Sequence, residues 1–519
     1  MIRRFFAAML LLAAAETQAL AQAEPAVAPR EPIPLEVFAR LPETEGPRIN
    51  TDGTALAAKI RVDGAQYLAV IPLDTPDPRP EIVARDGEFD RREDFTTTNW
   101  EWIDPDNLLI WVASRTDVDG QRVDATRVIA YNRRTRATTR LGWEGTFVFG
   151  GAVLWMSTSG PPRILLARWA AGRGTERLSN REVVEVDVAT GRQRLITAPR
   201  RGVTNWYSDG EGNLRLGTSF DSRTGRLQAL YRSGGEGNFR TIIRERMERY
   251  AEPPLPLVFL AGDKALVRSR HEGYSAIYEM DLETMEFGRR VFGVDGYDVG
   301  DVETNPEGDA LERIAVIRDR LEDHWLNPRM RELQVALDGA FGAGNVRIVS
   351  YDRARENLVV RVGEPSQTGA YYLYRTATGD MRNIGWVNSA LRDMTLNPVR
   401  TIRYRASDGP TISAVLTLPR LREHRNLPLI VLPHGGPWIR DYERWDIWAQ
   451  PLAELGYAVI QPNFRGSSGF GQEWEAMSDG NWGTRMQDDL NDAVDHLAAE
   501  GIADAGRVCM FGWSYGGYA

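Results

Sequence analysis

Hydrophobic and polar residues change rhythm along this chain. Between residues 49 and 395 apolar positions alternate in short runs broken by turn residues, the pattern of successive β-strands. One unit recurs: an apolar strand, a polar residue, a tight turn and a second strand. It reads "VIAYNRRTRATTRL" around Asn132, "VVEVDVATGRQRLI" around Asp187, "AIYEMDLETMEFGRR" around Asp281 and "YYLYRTATGDMRNI" around Arg375, with weaker copies at Asp74, Ser233 and Asp338. A spacing of roughly 50 residues suits four-stranded units too small to bury a core alone. Seven marks therefore predict a seven-bladed β-propeller, each mark closing an outer hairpin, with runs such as "NLLIWVAS" and "KALVRSR" as inner strands. The stretch "NPRMRELQVALDGAFG" departs from this rhythm. Met330, Leu333, Leu337 and Phe341 follow helical spacing, so a helical insertion is expected there and Asp338 is the weakest mark.

From Asn397 onward the pattern changes. "TIRYRAS" and "TISAVLTLP" alternate around the turn "SDGP" as a hairpin. "LPLIVLPHGG" is a continuous apolar run, the mark of a strand covered on both faces. A helix is expected over "YERWDIWAQPLAELG", a strand over "YAVIQPN", an amphipathic helix over "TRMQDDLNDAVDHLAAEG" and a buried strand over "RVCMFG". Strand and helix in alternation imply right-handed crossovers and a parallel sheet. Active residues of such sheets gather at the carboxyl ends of the strands. Both "HGG" at 434–436 and Ser514 fall at such ends.

Gly512-Trp513-Ser514-Tyr515-Gly516 matches G-x-S-x-G, in which a tight strand-to-helix turn lifts a serine hydroxyl clear of the sheet. Ser514 is the expected nucleophile. The backbone N–H of Tyr515 is the expected first oxyanion donor, and the loop His434-Gly435-Gly436 the expected source of the second. His434 is a poor general base, since in this fold class the base follows the serine from another loop. His496 is expected on or packed against a helix.

Composition adds limits. A net charge of -9 argues against a nucleic-acid partner. His271, His324, His424, His434 and His496 form no metal-ligand pattern, so neither metal nor cofactor is expected. The lone Cys509 excludes an intramolecular disulfide and reads as a small apolar filler. Arg3 and Arg4, the apolar run Phe5–Ala15 and small residues at Ala19, Ala21 and Ala23 are spaced as in a cleaved signal peptide. The expected division is thus 1–23 signal peptide, 24–395 propeller with a short N-terminal extension, and 396–519 catalytic domain. An exported protein, periplasmic or secreted, without stable membrane insertion follows.

The segments "PLIVLPHGGPWIRDYERWDIWAQPLAELGYAVIQPNFRGSSGFG" and "NWGTRMQDDLNDAVDHLAAEGIADAGRVCMFGWSYGGYA" resemble the prolyl oligopeptidase family of serine peptidases, its acylaminoacyl-peptidase and dipeptidyl-peptidase IV-like branches above all. The resemblance implies a propeller joined to an α/β-hydrolase domain and hydrolysis of short peptides through an acyl-enzyme. It gives His434 the place where some members carry a tyrosine whose hydroxyl donates to the oxyanion, leaving open which atom donates here. Arg465 in "NFRGS" reads either as ordering the edge of the site or as a structural ion pair, and is not counted among the catalytic residues. The family's aspartate and histidine follow the serine. None of the five residues after Ser514 can serve, so both are expected outside these 519 residues, with Ala519 read as a truncation, the hydrolase domain incomplete and the 519 residues alone inactive. A small-acyl esterase and a propeller binding protein with a decayed hydrolase domain are the competing functions. Dipeptidyl specificity would need a propeller acid for a free amine, with Glu182, Glu272 and Glu303 as candidates.

Overall fold

The computed structural model describes residues 31–519, except 76–77, 87–94, 119–120, 147, 170–180, 201, 222 and 236. The expected signal peptide lies outside the described residues. Seven consecutive sheets form a β-propeller, their strands spanning 44–85, 96–141, 152–197, 205–246, 255–292, 299–325 and 346–386. Six are four-stranded and the sixth is three-stranded, each an antiparallel meander in chain order. "NLLIWVAS" and "KALVRSR" fall on second strands, flanked on both sides within their four-stranded sheets, as expected. Burial there is deepest because neighbouring blades cover both faces: Leu108, Leu109 and Ile110 are wholly buried. Adjacent blades share clusters, as where Leu109, Val128 and Leu141 meet Ile164, Leu166 and Val184. Each such side chain contributes about 1.5–3 kcal/mol. The ring closes by packing, with no strand exchanged between blades among the described residues: Ile49, Leu56 and Leu73 of the first blade meet Val359 and Leu373 of the seventh.

Six of the seven marks sit between the third and fourth strands of a blade. The clearest four share one turn. Asn132, Asp187 and Asp281 accept, on Oδ1, the N–H of the third residue on, at 2.9, 2.8 and 2.9 Å. The fourth residue, Arg136, Gly191, Met285 or Gly379, has φ between 59° and 79° and donates its N–H to the marked carbonyl at 2.8 Å. Asp338 is the exception: it lies in a helix, α1 (Pro328–Phe341), that follows the three strands of the sixth blade. The helical insertion is present as expected, capped by the Asn327 side chain and Pro328 at its start.

A second sheet comprises β1 (Val399–Arg405), β2 (Thr411–Thr417), β3 (Leu427–Val431), β4 (Ala458–Pro462) and β5 (Ala503–Met510), in the order β1-β2-β4-β3-β5. The first two pairings are antiparallel, and β4–β3 and β3–β5 are parallel. Between β3 and β4 the helix is α2 (Ala449–Glu454), shorter than expected: Tyr442–Trp448 runs as an irregular loop held by ion pairs. After β4 come α3 (Gln472–Ala476), α4 (Arg485–Ala499) and, beyond β5, α5 (Tyr515–Tyr518). Met486, Leu490, Ala493 and Leu497 line one face of α4 and bury against the sheet. The expectation of a buried last strand fails, since no residue of "RVCMFG" is buried. Cys509, Met510 and Phe511 are exposed, so Cys509 does not fill a core.

The two parts meet through the loop between β4 and α4. Arg270 of the fifth blade forms paired bonds of 2.7 Å with both oxygens of Glu475 on α3, and one of 2.9 Å with Asp298. Gln472 donates to the Gly273 carbonyl at 2.9 Å, and Tyr250 to Asp479 at 2.6 Å. Arg440 donates to the carbonyls of Ile317 and Arg318 in the sixth blade, at 3.0 and 2.8 Å. The segment before the first blade also packs on the hydrolase part, where Ile33 N–H donates to Glu454 and Phe38 clusters with Leu391 and Leu396.

Candidate active site

The turn from β5 to α5 carries Ser514 at φ 54°, ψ −125°. That backbone is costly for a residue with a side chain, and the neighbours show what holds it. A methyl group at Gly516 would stand 2.1 Å from the Pro433 carbonyl oxygen, and one at Gly512 would stand 2.6 Å from the backbone of Gly516. Only glycine at both positions lets the turn close against the end of β3. A Cβ at Gly435 would lie 3.4 Å from that of Ser514, so the 434–436 loop backs directly onto the serine. Among the described residues the N–H groups of Tyr515 and Gly435 donate to no acceptor, and the Ser514 hydroxyl has no hydrogen-bond partner. The expected serine and the expected "HGG" loop are thus brought together.

His434 is buried and locked. Its Nδ1 stands 2.8 Å from the Gly435 carbonyl and its Nε2 2.9 Å from the Ser467 hydroxyl, while its ring stacks on Phe464 at 4.4 Å. Burial pulls its pKa down to about 4. Both ring nitrogens are engaged away from Ser514, and no hydrogen bond joins the two residues. His434 therefore braces the loop through its imidazole, which makes no bond to Ser514. His496 stacks on Tyr404 and stands 3.5 Å from Glu500, a helix-packing residue as expected.

Arg465 is an ion-pairing residue. It forms paired bonds with Asp408, both 2.8 Å, and with the buried Asp489 of α4, as short as 2.6 Å. These pin the loop after β4 to α4 and to the β1–β2 turn. Asp441, on the loop after "HGG", was not singled out by sequence. Its backbone is held by the Asn463 side chain at 2.7 and 3.0 Å, which buries a carboxylate that accepts no hydrogen bond, Oδ2 being wholly enclosed. Burial, with Asp446 adding repulsion, pushes its pKa up to about 7. A row of rings, also missed, runs from the propeller to the serine turn: Tyr250–Trp438, Trp438–Trp482 and Trp482–Tyr515 centroids are 6.5, 5.9 and 5.0 Å apart. No periodicity marks Tyr250, Trp438 and Trp482, which converge from three separate loops on Tyr515 at the start of α5. Of the acids considered for a free amine, Glu182 is tied to Arg168 at 2.8 Å within the third blade and Glu303 lines the propeller channel. Glu272 is exposed on the loop whose Gly273 receives Gln472 of the hydrolase part. Among the described residues no group of His, Cys, Asp and Glu could hold a metal, and no helix is long and apolar enough to cross a membrane.

A serine turn with φ above zero, at the end of a mixed sheet, is thus joined in one chain to a seven-bladed propeller. Residues 444–519 match the prolyl oligopeptidase family. The chain is 26% identical to dipeptidyl aminopeptidase BIII of Pseudoxanthomonas mexicana over 96% of this chain and 71% of that protein. It is 37% identical to the acylamino-acid-releasing enzyme of Sus scrofa over 35% of this chain and 26% of that one. Its fold is similar to prolyl oligopeptidase B of Galerina marginata, with a TM-score of 0.65 at 14% identity, covering 93% of this chain and 70% of the other.

Proposed function

We propose that the complete protein cleaves short peptides with Ser514 as nucleophile. The observation that carries this is the strained Ser514 backbone, held by two obligatory glycines directly against the Gly435 loop. Ser514 Oγ attacks the scissile carbonyl carbon, and its proton passes through a base to the leaving amine as the C–N bond breaks. Water then cleaves the ester and restores the hydroxyl. The N–H groups of Tyr515 and of the 434–436 loop would take the oxyanion. The base is neither His434, whose ring is committed elsewhere, nor His496, which sits on α4 against Tyr404. We assign it, with its aspartate, to residues outside these 519, so that the 519 residues expressed alone would be inactive. The division at 395/396 and export after cleavage near Gln22 or Glu24 belong to the same reading.

The test is a fluorophosphonate probe on the mature protein from its native source, followed by intact mass and N-terminal sequencing. One adduct on Ser514, none in Ser514→Ala, and peptide-amide hydrolysis lost by about 10⁶ in that variant are expected. Absence of both adduct and hydrolysis in the native protein would instead favour a binding protein. Hydrolysis of an ester without its matched amide would favour an esterase.

A further inference from the structure

The first strands of the blades end around a cavity of about 530 Å³, to whose wall all seven blades contribute. The hydrolase part sits at the other end of the propeller, where Tyr250, Arg270 and Asp298 hold it before first strands or after second ones. Loops of blades that are not neighbours cross the cavity's mouth. A methyl group on Gly210 of the fourth blade would stand 2.2 Å from the Glu307 carbonyl oxygen of the sixth. Arg353 of the seventh donates to the Thr158 carbonyl of the third, at 2.9 Å. These two bridges turn the end of the channel into a bounded space of the size that holds a small ligand.

Opposite charges meet in this wall without satisfying each other. Arg48 Nε and the Glu101 carboxylate are 3.9 Å apart, beyond hydrogen-bond reach, and the two side chains are 40% and 39% exposed. Arg48 gives one N–H to the Val349 carbonyl, at 3.1 Å, and the rest of its fork is open. Glu303 is also 39% exposed. It accepts from Arg313 at 3.0 Å and from the Tyr351 hydroxyl at 3.1 Å, while Arg313 is shared with Asp301 and Asp323. Enclosure in the channel raises the Glu101 pKa, Arg48 opposes this without reversing it, and Glu303 adds to it. Asp209 and Asp352, by contrast, accept N–H groups of their own turns, at 2.9 and 2.8 Å. An accessible cation beside accessible anions suits a ligand that carries both charges. Trp155, Met156 and Leu257 add apolar surface for its side chains.

We propose that this cavity binds a short peptide in its zwitterionic form, the ammonium taken by Glu101 and Glu303 and the carboxylate by Arg48. The site lies at the end of the propeller remote from the hydrolase part and does not depend on chemistry at Ser514. The test is titration calorimetry of the full chain carrying Ser514→Ala, with the dipeptide alanyl-leucine, its N-acetyl form and its C-terminal amide. Saturable binding of the free dipeptide is expected, each blocked form binding at least about tenfold more weakly. Glu101→Gln, which keeps the shape of the side chain, should weaken the free dipeptide about tenfold and leave the acetyl form unchanged. Arg48→Met should do the same for the free dipeptide and leave the amide unchanged. The proposal is overturned if the free dipeptide does not bind, or if either blocked form binds as tightly. Binding that neither variant weakens overturns it as well, since the ligand would then sit elsewhere.

Discussion

At Gly516 the absence of a side chain is a geometric requirement, since a methyl group would stand 2.1 Å from the Pro433 oxygen. Gly516→Ala should cost at least about 2–3 kcal/mol and abolish labelling of Ser514 by a fluorophosphonate. Gly517→Ala, whose methyl would lie 3.3 Å from the Gly512 oxygen, should be much milder in the same urea titration and labelling assay. Asp441 makes a pH prediction. Its pKa of about 7 in the folded protein exceeds the ordinary 3.8, so the folded state holds a proton that the unfolded chain has lost. Stability from this group therefore falls as pH rises from about 4 to 7 and levels off above. His434 acts in the opposite sense: its pKa of about 4, against 6.5, removes stability as pH falls through that interval. The two overlap, so the measurement is a difference. The stability of Asp441→Asn relative to the parent should improve by about 2–3 kcal/mol between pH 5 and pH 8, and a constant difference would refute the assignment.

Among the elements, the blade turns were the most legible. An Asx side chain binding the backbone three residues on is a local interaction, so it shows in sequence wherever the turn forms. The fourth residue of these turns has φ above zero whether or not it is glycine, and Arg136 adopts φ 59°. Arg136→Gly should raise stability by about 0.5 kcal/mol, the relief of that backbone exceeding the loss of an exposed ion pair with Glu81. Thermal unfolding of the pair of proteins checks it. Helix α2 was overestimated for the opposite reason: the 442–448 segment has helical spacing of apolar residues. Its charges are instead drawn into tertiary ion pairs, Glu443 with Arg320 of the propeller among them.

Over the whole molecule, buried ion pairs help join the two parts. Arg270, Glu475 and Asp298 are mostly buried and paired with one another. Removing the cation leaves two carboxylates unpaired, so Arg270→Leu should destabilise by about 3–5 kcal/mol, and adding Glu475→Leu should recover part of it. Calorimetry should show the variant's propeller and hydrolase transitions separating, whereas a single unshifted transition would exclude a docking role. The row of rings from Tyr250 to Tyr515 depends on the same contact, because its first member comes from the propeller and its last from the serine turn.

The chain's own order of residues was enough to specify the seven blades, the parallel sheet, the Ser514 turn and its Gly435 neighbour. Each rests on a short-range rule: side-chain alternation, a local hydrogen bond, or the steric need for glycine beside a tight turn. Tertiary structure alone decided that His434 braces its loop, that Asp441 is enclosed without a partner, that Cys509 is exposed, and that Arg48 and Glu101 share a cavity. These depend on which distant segments come to face one another, and burial, unlike local conformation, is a property of the partners across the gap.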